Sequence, residues 1–215
     1  MHISDGVLPT SIALGAGAAS LVLATWSARR SPAEDLPKVA VVSAAFFVAS
    51  LVHIPLGPTS IHLLLPGVVG ALLGPAAFLA ILLGLVLQSL LFQFGGLTAL
   101  GGNALMMGLP ALACGLLFQT LRGQSRKRQA IVGALCGGLG VLGSALIMAV
   151  LLALSGEDFL GIAKLALLAH LPVVVIEAIV AGFIVSFLAR VKPELLEAPF
   201  TLRKTPPVLD TERKR

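Results

Sequence analysis

The chain has 215 residues, of which 57% are hydrophobic and only 12% are charged, with a formal net charge of +5. Soluble domains carry about 25% charged residues, so this composition excludes an ordinary soluble domain. Residues 39–121 contain no charged side chain. Such a run predicts transmembrane helices, because backbone in lipid must satisfy its own hydrogen bonds. The basic residues lie in short loops and in the tail, where membrane topology explains them, so the positive charge does not indicate a nucleic-acid partner.

The apolar runs predict an all-α polytopic membrane protein with about seven transmembrane helices. In chain order they cover residues 10–27, 39–54, 61–73, 76–94, 103–121, 129–154 and 161–189. Proline and glycine at 55–58 and at 74–75 separate the second, third and fourth helices. The third helix would rise only roughly 20 Å, so six spans with a long bent third segment is the alternative.

The distribution of charge predicts the orientation of these helices. With the N-terminus outside, both basic loops and the basic C-terminal tail fall on the inside, as the positive-inside rule requires. The acidic loop at 157–158 and the Gly-rich loop at 95–102 then fall outside. We therefore expect a transmembrane domain over residues 1–195 and a charged cytoplasmic tail over residues 196–215.

The first two residues, Met1 and His2, form a candidate chelate. The terminal amine, the His2 backbone amide and the His2 imidazole can close adjacent rings around one ion and leave one corner of a plane open. Planar nitrogen ligation suits Ni(II) and Cu(II), and a related site can hold Co(II). The site needs Met1, which we expect to be retained before the bulky His2. No basic region precedes the first apolar run, so no cleaved signal peptide is predicted. A chance Met-His beginning is the alternative.

His62 is the best candidate for the fourth planar ligand. We expect Thr59 or Ser60 to cap the helix that it opens and so to fix the imidazole near the outer surface. The alternative is an interfacial histidine that binds headgroups or a backbone carbonyl. His53 is a weaker candidate, either for a group that supports the site or passes the ion inward, or for an interfacial residue.

Thr98 in the Gly-rich loop and Asn103, which opens the fifth predicted helix, are candidates to support the site without binding the ion. The Asn103 amide can cap the fifth helix and also hydrogen-bond to the site. The neighbouring glycines permit a tight loop that folds over a site, although a simple turn between antiparallel helices is equally compatible with the sequence.

The predicted seventh helix contains a carboxylate and a histidine, Glu177 and His170. Glu177 lies near its middle, where an ionised carboxylate is costly, and His170 lies seven residues earlier on the same helical face. Either they form an intramembrane lock or a relay for protons or ions, or each is hydrogen-bonded to a neighbouring helix. They are roughly 10 Å apart along the helix, too far for one ion to be bound simply.

Small residues at helical spacing predict close helix packing. They are Gly15 with Ala19, Gly133 with Gly137, and Gly140 with Ser144. These faces can contact other helices of this chain, the commoner case, or a partner membrane protein. Cys114 and Cys136 lie inside predicted helices, and we expect them to act as small apolar residues.

Taken together, three segments resemble the CbiM/NikM family of substrate-binding components in energy-coupling-factor cobalt and nickel transporters. They are residues 1–8 (MHISDGVL), 59–62 (TSIH) and 94–103 (FGGLTALGGN). The segment from His170 to Glu177 also looks like the last helix of the family. The family often has threonine where this chain has Ala99, alanine where it has Gly102, and glycine where it has Ala178.

The resemblance implies seven helices and a metal site made by the Met1 amine, the His2 amide and imidazole, and His62. It implies uptake of Co²⁺ or Ni²⁺ across a bacterial or archaeal inner membrane, with no cofactor beyond the transported ion. The implied partners are a transmembrane scaffold subunit, two cytoplasmic ATPases and, in some cobalt systems, a small accessory membrane subunit. The chain has no P-loop, so we expect it not to be an enzyme and its partners to hydrolyse ATP.

Three other functions are weighed against this one. A stand-alone secondary permease needs acidic residues along an ion path, and only Glu177 is available. A membrane metalloprotein with a structural or redox metal needs further polar groups at its site. A purely structural scaffold predicts that His2 and His62 do not matter for metal binding. Nothing in the sequence separates cobalt from nickel, because both use nitrogen ligands.

Overall fold

The computed structural model of the protein describes residues 2–56 and 59–197, without the side chains of residues 53–61. This part of the chain forms a helical bundle with one short hairpin. The helices are α1 Thr10–Arg29, α2 Leu36–Ala49, α3 Pro66–Leu73, α4 Ala77–Phe92, α5 Leu100–Leu121, α6 Arg126–Leu154, α7 Leu160–Ala169 and α8 Leu171–Val191. The strands β1 His53–Leu56 and β2 Thr59–His62 pair antiparallel.

Five helical segments in the described ranges are long and apolar enough to cross a membrane. They are Thr10–Arg29, Pro66–Phe92, Leu100–Leu121, Arg126–Leu154 and Glu157–Val191. Large apolar side chains are exposed along these helices, as expected of surfaces that face lipid. The predicted class, an α-helical polytopic membrane protein, is therefore confirmed, whereas the count of seven crossings and the orientation of the termini stay predictions.

The segment Pro66–Phe92 is a pair of antiparallel helices rather than one straight helix. His62 precedes α3 and Gln88 lies near the end of α4, yet both contact His2, so these two helix ends lie at the same end of the bundle. The chain turns between the helices at Gly74, whose φ of 53° favours glycine. The Ser27 hydroxyl holds this turn by donating to the Pro75 carbonyl at 2.6 Å.

The second and third helices are shorter than predicted, because a β-hairpin lies between them. Helix α2 ends at Ala49, and the backbone of His53 pairs with that of His62. Pro55 prevents α2 from continuing through the predicted end at residue 54, since it disfavours helical conformation in the residue before it and donates no amide hydrogen bond. The expected cap by Thr59 or Ser60 is wrong, because both lie in β2 and α3 begins only at Pro66.

The predicted seventh helix is broken into α7 and α8 at His170. Pro172 occupies the first turn of α8, where its missing N–H does least harm but would interrupt a continuous helix. The long apolar run alone did not show this break.

Glycines allow α3 to lie against α5 and α6 at backbone distance. A Cβ atom at Gly67 would lie 2.0 Å from the Cys136 carbonyl oxygen, and one at Gly70 would lie 2.1 Å from the Ala111 carbonyl oxygen. The predicted small-residue stripes on α6 pack against other helices of this chain. Gly140 lies against the Gly67 backbone of α3, and Gly137 lies against the Glu177 backbone of α8. On α1, nothing lies within 4 Å of a Cβ placed at Gly15.

Cys114 and Cys136 are buried where α5 crosses α6, as expected of small packing residues. Each thiol donates to the carbonyl oxygen of the other residue, at 3.3 and 3.4 Å.

We expect Gly70→Ala to destabilise the protein by about 1–3 kcal/mol, because the added methyl group meets a backbone oxygen that cannot move without separating α3 from α5. The matched control is Gly15→Ala, whose methyl group meets open space and which we expect to leave stability unchanged or slightly raised. Thermal unfolding in detergent measures both. Equal melting temperatures for the two variants would refute the close α3–α5 contact.

Candidate metal site

The N-terminal segment is tied to the bundle by Asn103 of α5. The Ile3 amide donates to Asn103 Oδ1 at 2.8 Å, and Asn103 Nδ2 donates to the Ile3 carbonyl at 2.9 Å. The same amide group also reaches the Gly95 carbonyl at 3.3 Å. Ile3 and Asn103 are both buried. Asn103 therefore satisfies both backbone hydrogen-bonding groups of Ile3, much as a neighbouring β-strand would. These bonds also fix the position of the His2 backbone, which precedes Ile3.

The Gly-rich loop leaves room for this segment. Gly95 and Gly96 have φ of +80° and +71°, a region that favours glycine. A Cβ atom at Gly95 would lie 2.7 Å from Asn103 Nδ2, and one at Gly96 would lie 2.1 Å from Asp5 Cγ. Larger residues would therefore push the N-terminal segment away from the loop.

Thr98 holds the same segment at its exposed edge. The Thr98 backbone amide and hydroxyl both donate to Asp5 Oδ1, at 2.8 and 2.5 Å. These bonds, the hydroxyl first, stabilise the carboxylate and lower the pKa of Asp5 below its usual range.

The imidazoles of His2 and His62 meet at this end of the bundle. Their ring centroids are 5.4 Å apart with planes inclined by 25°, and the Phe94 ring lies 6.2 Å from that of His2. Two rings this close can each present one nitrogen to a single ion. The structure thus brings together the two side chains that the sequence singled out.

One nitrogen of each ring is engaged by a hydrogen bond. His2 Nε2 lies 2.8 Å from Gln88 Oε1, and His62 Nδ1 lies 3.2 Å from the Leu63 carbonyl. Since both partners are acceptors, each of these nitrogens carries the proton. The lone pairs are then on His2 Nδ1 and His62 Nε2, the arrangement usual for metal-binding histidines.

The surroundings keep His2 neutral. Burial is the main reason that the pKa of His2 is lowered from 6.5 to about 3, with smaller contributions from the positive N-terminus and from His62. The hydrogen bond to Gln88 opposes this shift only in part. Near pH 7 the imidazole therefore keeps its lone pair and needs no deprotonation before it binds a metal.

Glu177 of α8 holds the segment that follows His62. Its carboxylate accepts hydrogen bonds from the Leu64 and Leu65 amides, and the Leu65 amide lies 3.1 Å from each oxygen. These amides precede α3, where the helix dipole favours a negative charge. Glu177 is fully buried. Its hydrogen bonds to the two amides take the place of the cap that the sequence had assigned to Thr59 or Ser60.

Among the side chains that the structure describes, no group of three or more His, Cys, Asp or Glu residues is placed to hold a metal ion. The His2 and His62 imidazoles form a pair at this end of the bundle.

The comparisons with known proteins identify the family of this chain. The profile of the CbiM family, described as the cobalt uptake substrate-specific transmembrane region, matches residues 2–195. This chain belongs to the CbiM family. A relative from Haemophilus influenzae, named as a metal transport protein, is 38% identical over 199 residues and covers 91% of this chain and 97% of its own.

Two further relatives connect the family with nickel and with a solved structure. The fused nickel transport protein NikMN of Rhodobacter capsulatus is 32% identical over 91% of this chain and 64% of its own length. The crystal structure of a transition metal transporter is 26% identical, with a TM-score of 0.74 over 89% of this chain and 93% of that one. The chain is thus a multi-pass membrane component of the cobalt and nickel transport type.

The remaining candidate residues have separate environments. His170 contacts the Ala166 carbonyl of α7, with Nδ1 at 2.6 Å, whereas Glu177 contacts Leu64 and Leu65, so the two side chains have different partners. Asn103 does not cap α5, because its side chain binds Ile3 instead. Met1 and the side chain of His53 lie outside the described residues.

Gln88 was missed by the sequence interpretation. It is fully buried and contacts His2 directly. The available signal was a single amide within an otherwise apolar helix, since polar residues in such helices are costly and usually functional.

We expect Asn103→Leu to release the N-terminal segment, because the Ile3 amide and carbonyl lose their partners at a cost of about 1–3 kcal/mol for each buried group. Hydrogen exchange of the N-terminal peptide should rise sharply. Thr98→Ala is the matched control, since its bonds to Asp5 are exposed and the effect should be small. Retained protection of Ile3 in Asn103→Leu would contradict the anchoring role.

We expect Glu177→Leu to lower stability by about 1–3 kcal/mol for each amide left without an acceptor. It should also lower Ni(II) affinity, because the segment after His62 is released. Glu177→Gln keeps one acceptor oxygen and should have a smaller effect. His170→Ala removes a contact within one helix turn and should resemble the wild type. Thermal unfolding and Ni(II) titration measure these effects, and a Glu177→Leu protein equal to wild type would contradict this assignment.

Proposed function

We propose that this protein captures Ni²⁺ or Co²⁺ as the substrate-binding subunit of an ATP-driven energy-coupling-factor transporter. The proposed ligands are the Met1 amine, the His2 amide and imidazole, and His62. The observation that carries this proposal is the close pair of His2 and His62 rings, with His2 Nε2 bonded to Gln88 Oε1 and His62 Nδ1 near the Leu63 carbonyl.

The anchoring of Ile3 supports a main-chain contribution to the site. Because Asn103 binds both backbone groups of Ile3, the preceding residue, His2, is held beside His62. His2 Nδ1 is the ring nitrogen nearer its own backbone, so it can close a ring with the His2 amide nitrogen. A nitrogen-only plane favours Ni(II), Co(II) or Cu(II) over the oxygen-seeking Mg²⁺ and Ca²⁺.

Most of the basic residues in the described part of the chain lie at the opposite end of the bundle. There the Lys38 ammonium donates to the Glu197 carbonyl at 2.9 Å, and the Arg122 guanidinium donates to the Leu196 carbonyl at 2.6 Å. The positive-inside rule makes this end cytoplasmic, so the metal site faces outward. A scaffold subunit and two ATPases would then act from the membrane and the cytoplasmic side, since this chain has no ATP-binding motif.

A stand-alone permease is less well supported. It would need a polar path through the helices, and the one acidic residue near their middle, Glu177, is engaged by the Leu64 and Leu65 amides. That carboxylate braces the segment after His62 rather than presenting its oxygens to a passing ion.

We expect about two protons to be released for each Ni²⁺ bound near pH 7. One comes from the His2 amide and most of another from the terminal amine, since such amines titrate at about 7.7–8.0 in model peptides. His2 itself contributes none, because its pKa of about 3 keeps it neutral. Binding should therefore weaken as the pH falls. Calorimetry in buffers with different ionisation enthalpies counts the protons.

His62→Ala should weaken Ni²⁺ binding, and His170→Ala should not. A site built from imidazoles alone would release less than one proton for each Ni²⁺ bound near pH 7. That result would contradict the proposed ligand set.

A further inference from the structure

Gln88 stands out within α4, an apolar helix whose other polar side chain is Ser89. Gln88 is completely buried. Its Oε1 atom lies 2.8 Å from His2 Nε2, whereas its Nε2 atom has no acceptor within the described residues.

This arrangement does not serve the stability of the fold. A buried amide N–H without an acceptor typically costs more than one neutral hydrogen bond returns. An apolar side chain of similar size would suit this position in α4 at least as well. The contact with His2 therefore explains the glutamine better than packing does.

The contact selects one form of the His2 imidazole. A neutral imidazole has one N–H and one lone pair, and the acceptor Oε1 favours the proton on Nε2. The lone pair is then on Nδ1. That nitrogen can close a chelate ring with the backbone amide of the same residue, whereas Nε2 points to the far side of the ring and cannot.

We propose that Gln88 is a positioning residue of the metal site, which holds His2 in the Nε2-protonated form so that Nδ1 faces the ion. This inference rests on the proposed function, because it assumes that His2 chelates through its backbone and ring. Gln88 does not touch the ion. It acts through His2, fixing both the tautomer and the ring orientation, as hydrogen-bond partners of metal-binding histidines do.

The test compares Gln88→Leu, Gln88→Glu and a matched control, Ser89→Ala, in the purified full-length chain. Leucine has a similar size but accepts no hydrogen bond. Glutamate keeps an acceptor and strengthens it. Ser89→Ala removes the neighbouring buried hydroxyl, which has no hydrogen-bond partner in the described structure. The measurements are the Kd for Ni²⁺ and the visible d–d absorption of the bound ion.

We expect Gln88→Leu to raise the Kd for Ni²⁺ about 10–100-fold, the usual effect of losing such a partner. Gln88→Glu should restore the wild-type Kd or lower it, and Ser89→Ala should bind like wild type. Wild-type binding by Gln88→Leu would overturn the proposal. If Gln88→Leu and Gln88→Glu weakened Ni²⁺ binding equally, the proposal would also be overturned, because the hydrogen-bond acceptor would then be irrelevant. Equal weakening of Ni²⁺ binding by Ser89→Ala would overturn it as well.

If Gln88→Leu fails to fold, the absorption spectrum of Gln88→Glu tests the proposal instead. A stronger acceptor makes the imidazole a stronger donor, so the d–d band of bound Ni²⁺ should move to higher energy than in wild type. An unchanged band would overturn the proposal. Failure of the proposed function gives a different result, namely a wild-type protein that binds no Ni²⁺ or binds it unchanged after His2→Ala.

Discussion

The hydrogen bonds between Asn103 and the Ile3 backbone are the constraint on which the candidate site depends. A chain terminus is normally mobile, and a chelate made from its first two residues would move with it. Here the Asn103 amide satisfies both the N–H and the carbonyl of Ile3. The glycines at 95 and 96 provide the space, and Thr98 holds the exposed edge through Asp5. The proposed chelate would therefore start from an N-terminal segment that is held in place at Ile3.

Three buried polar side chains on three helices support this end of the bundle. Gln88 on α4 binds His2, Asn103 on α5 binds Ile3, and Glu177 on α8 binds the segment after His62. Each would destabilise a membrane helix if it lacked a partner. Each finds its partner in the N-terminal segment or the segment after His62, so the polar groups of the helices serve the two segments that carry the candidate ligands. The close crossings of α3 with α5 and α6 keep those helices in register.

The sequence predicted the local features of this arrangement and missed the non-local ones. His2, His62, Asn103 and the membrane class followed from residue types, helix periodicity and a family resemblance. The sequence predicted the break at 55–58 but assigned residues 53–54 and 61–62 of the hairpin to helices, because short apolar runs do not distinguish strand from helix. The partners of Gln88 and Glu177 lie 86 and at least 112 residues away, so no pattern within one helix could reveal them. The only sequence signal for the helix break at His170 was Pro172, two residues later.

The central claim is that the free N-terminus of the chain is itself part of the metal site. The most direct test is Ni²⁺ binding by the protein carrying a histidine-free N-terminal extension, before and after proteolysis that restores Met1 as the first residue. All side chains of the native chain are present in both forms, and only the terminal amine differs. We predict weak or absent binding before cleavage and tight binding after it. Equal affinity in the two forms would contradict the account and leave the ion to side chains alone.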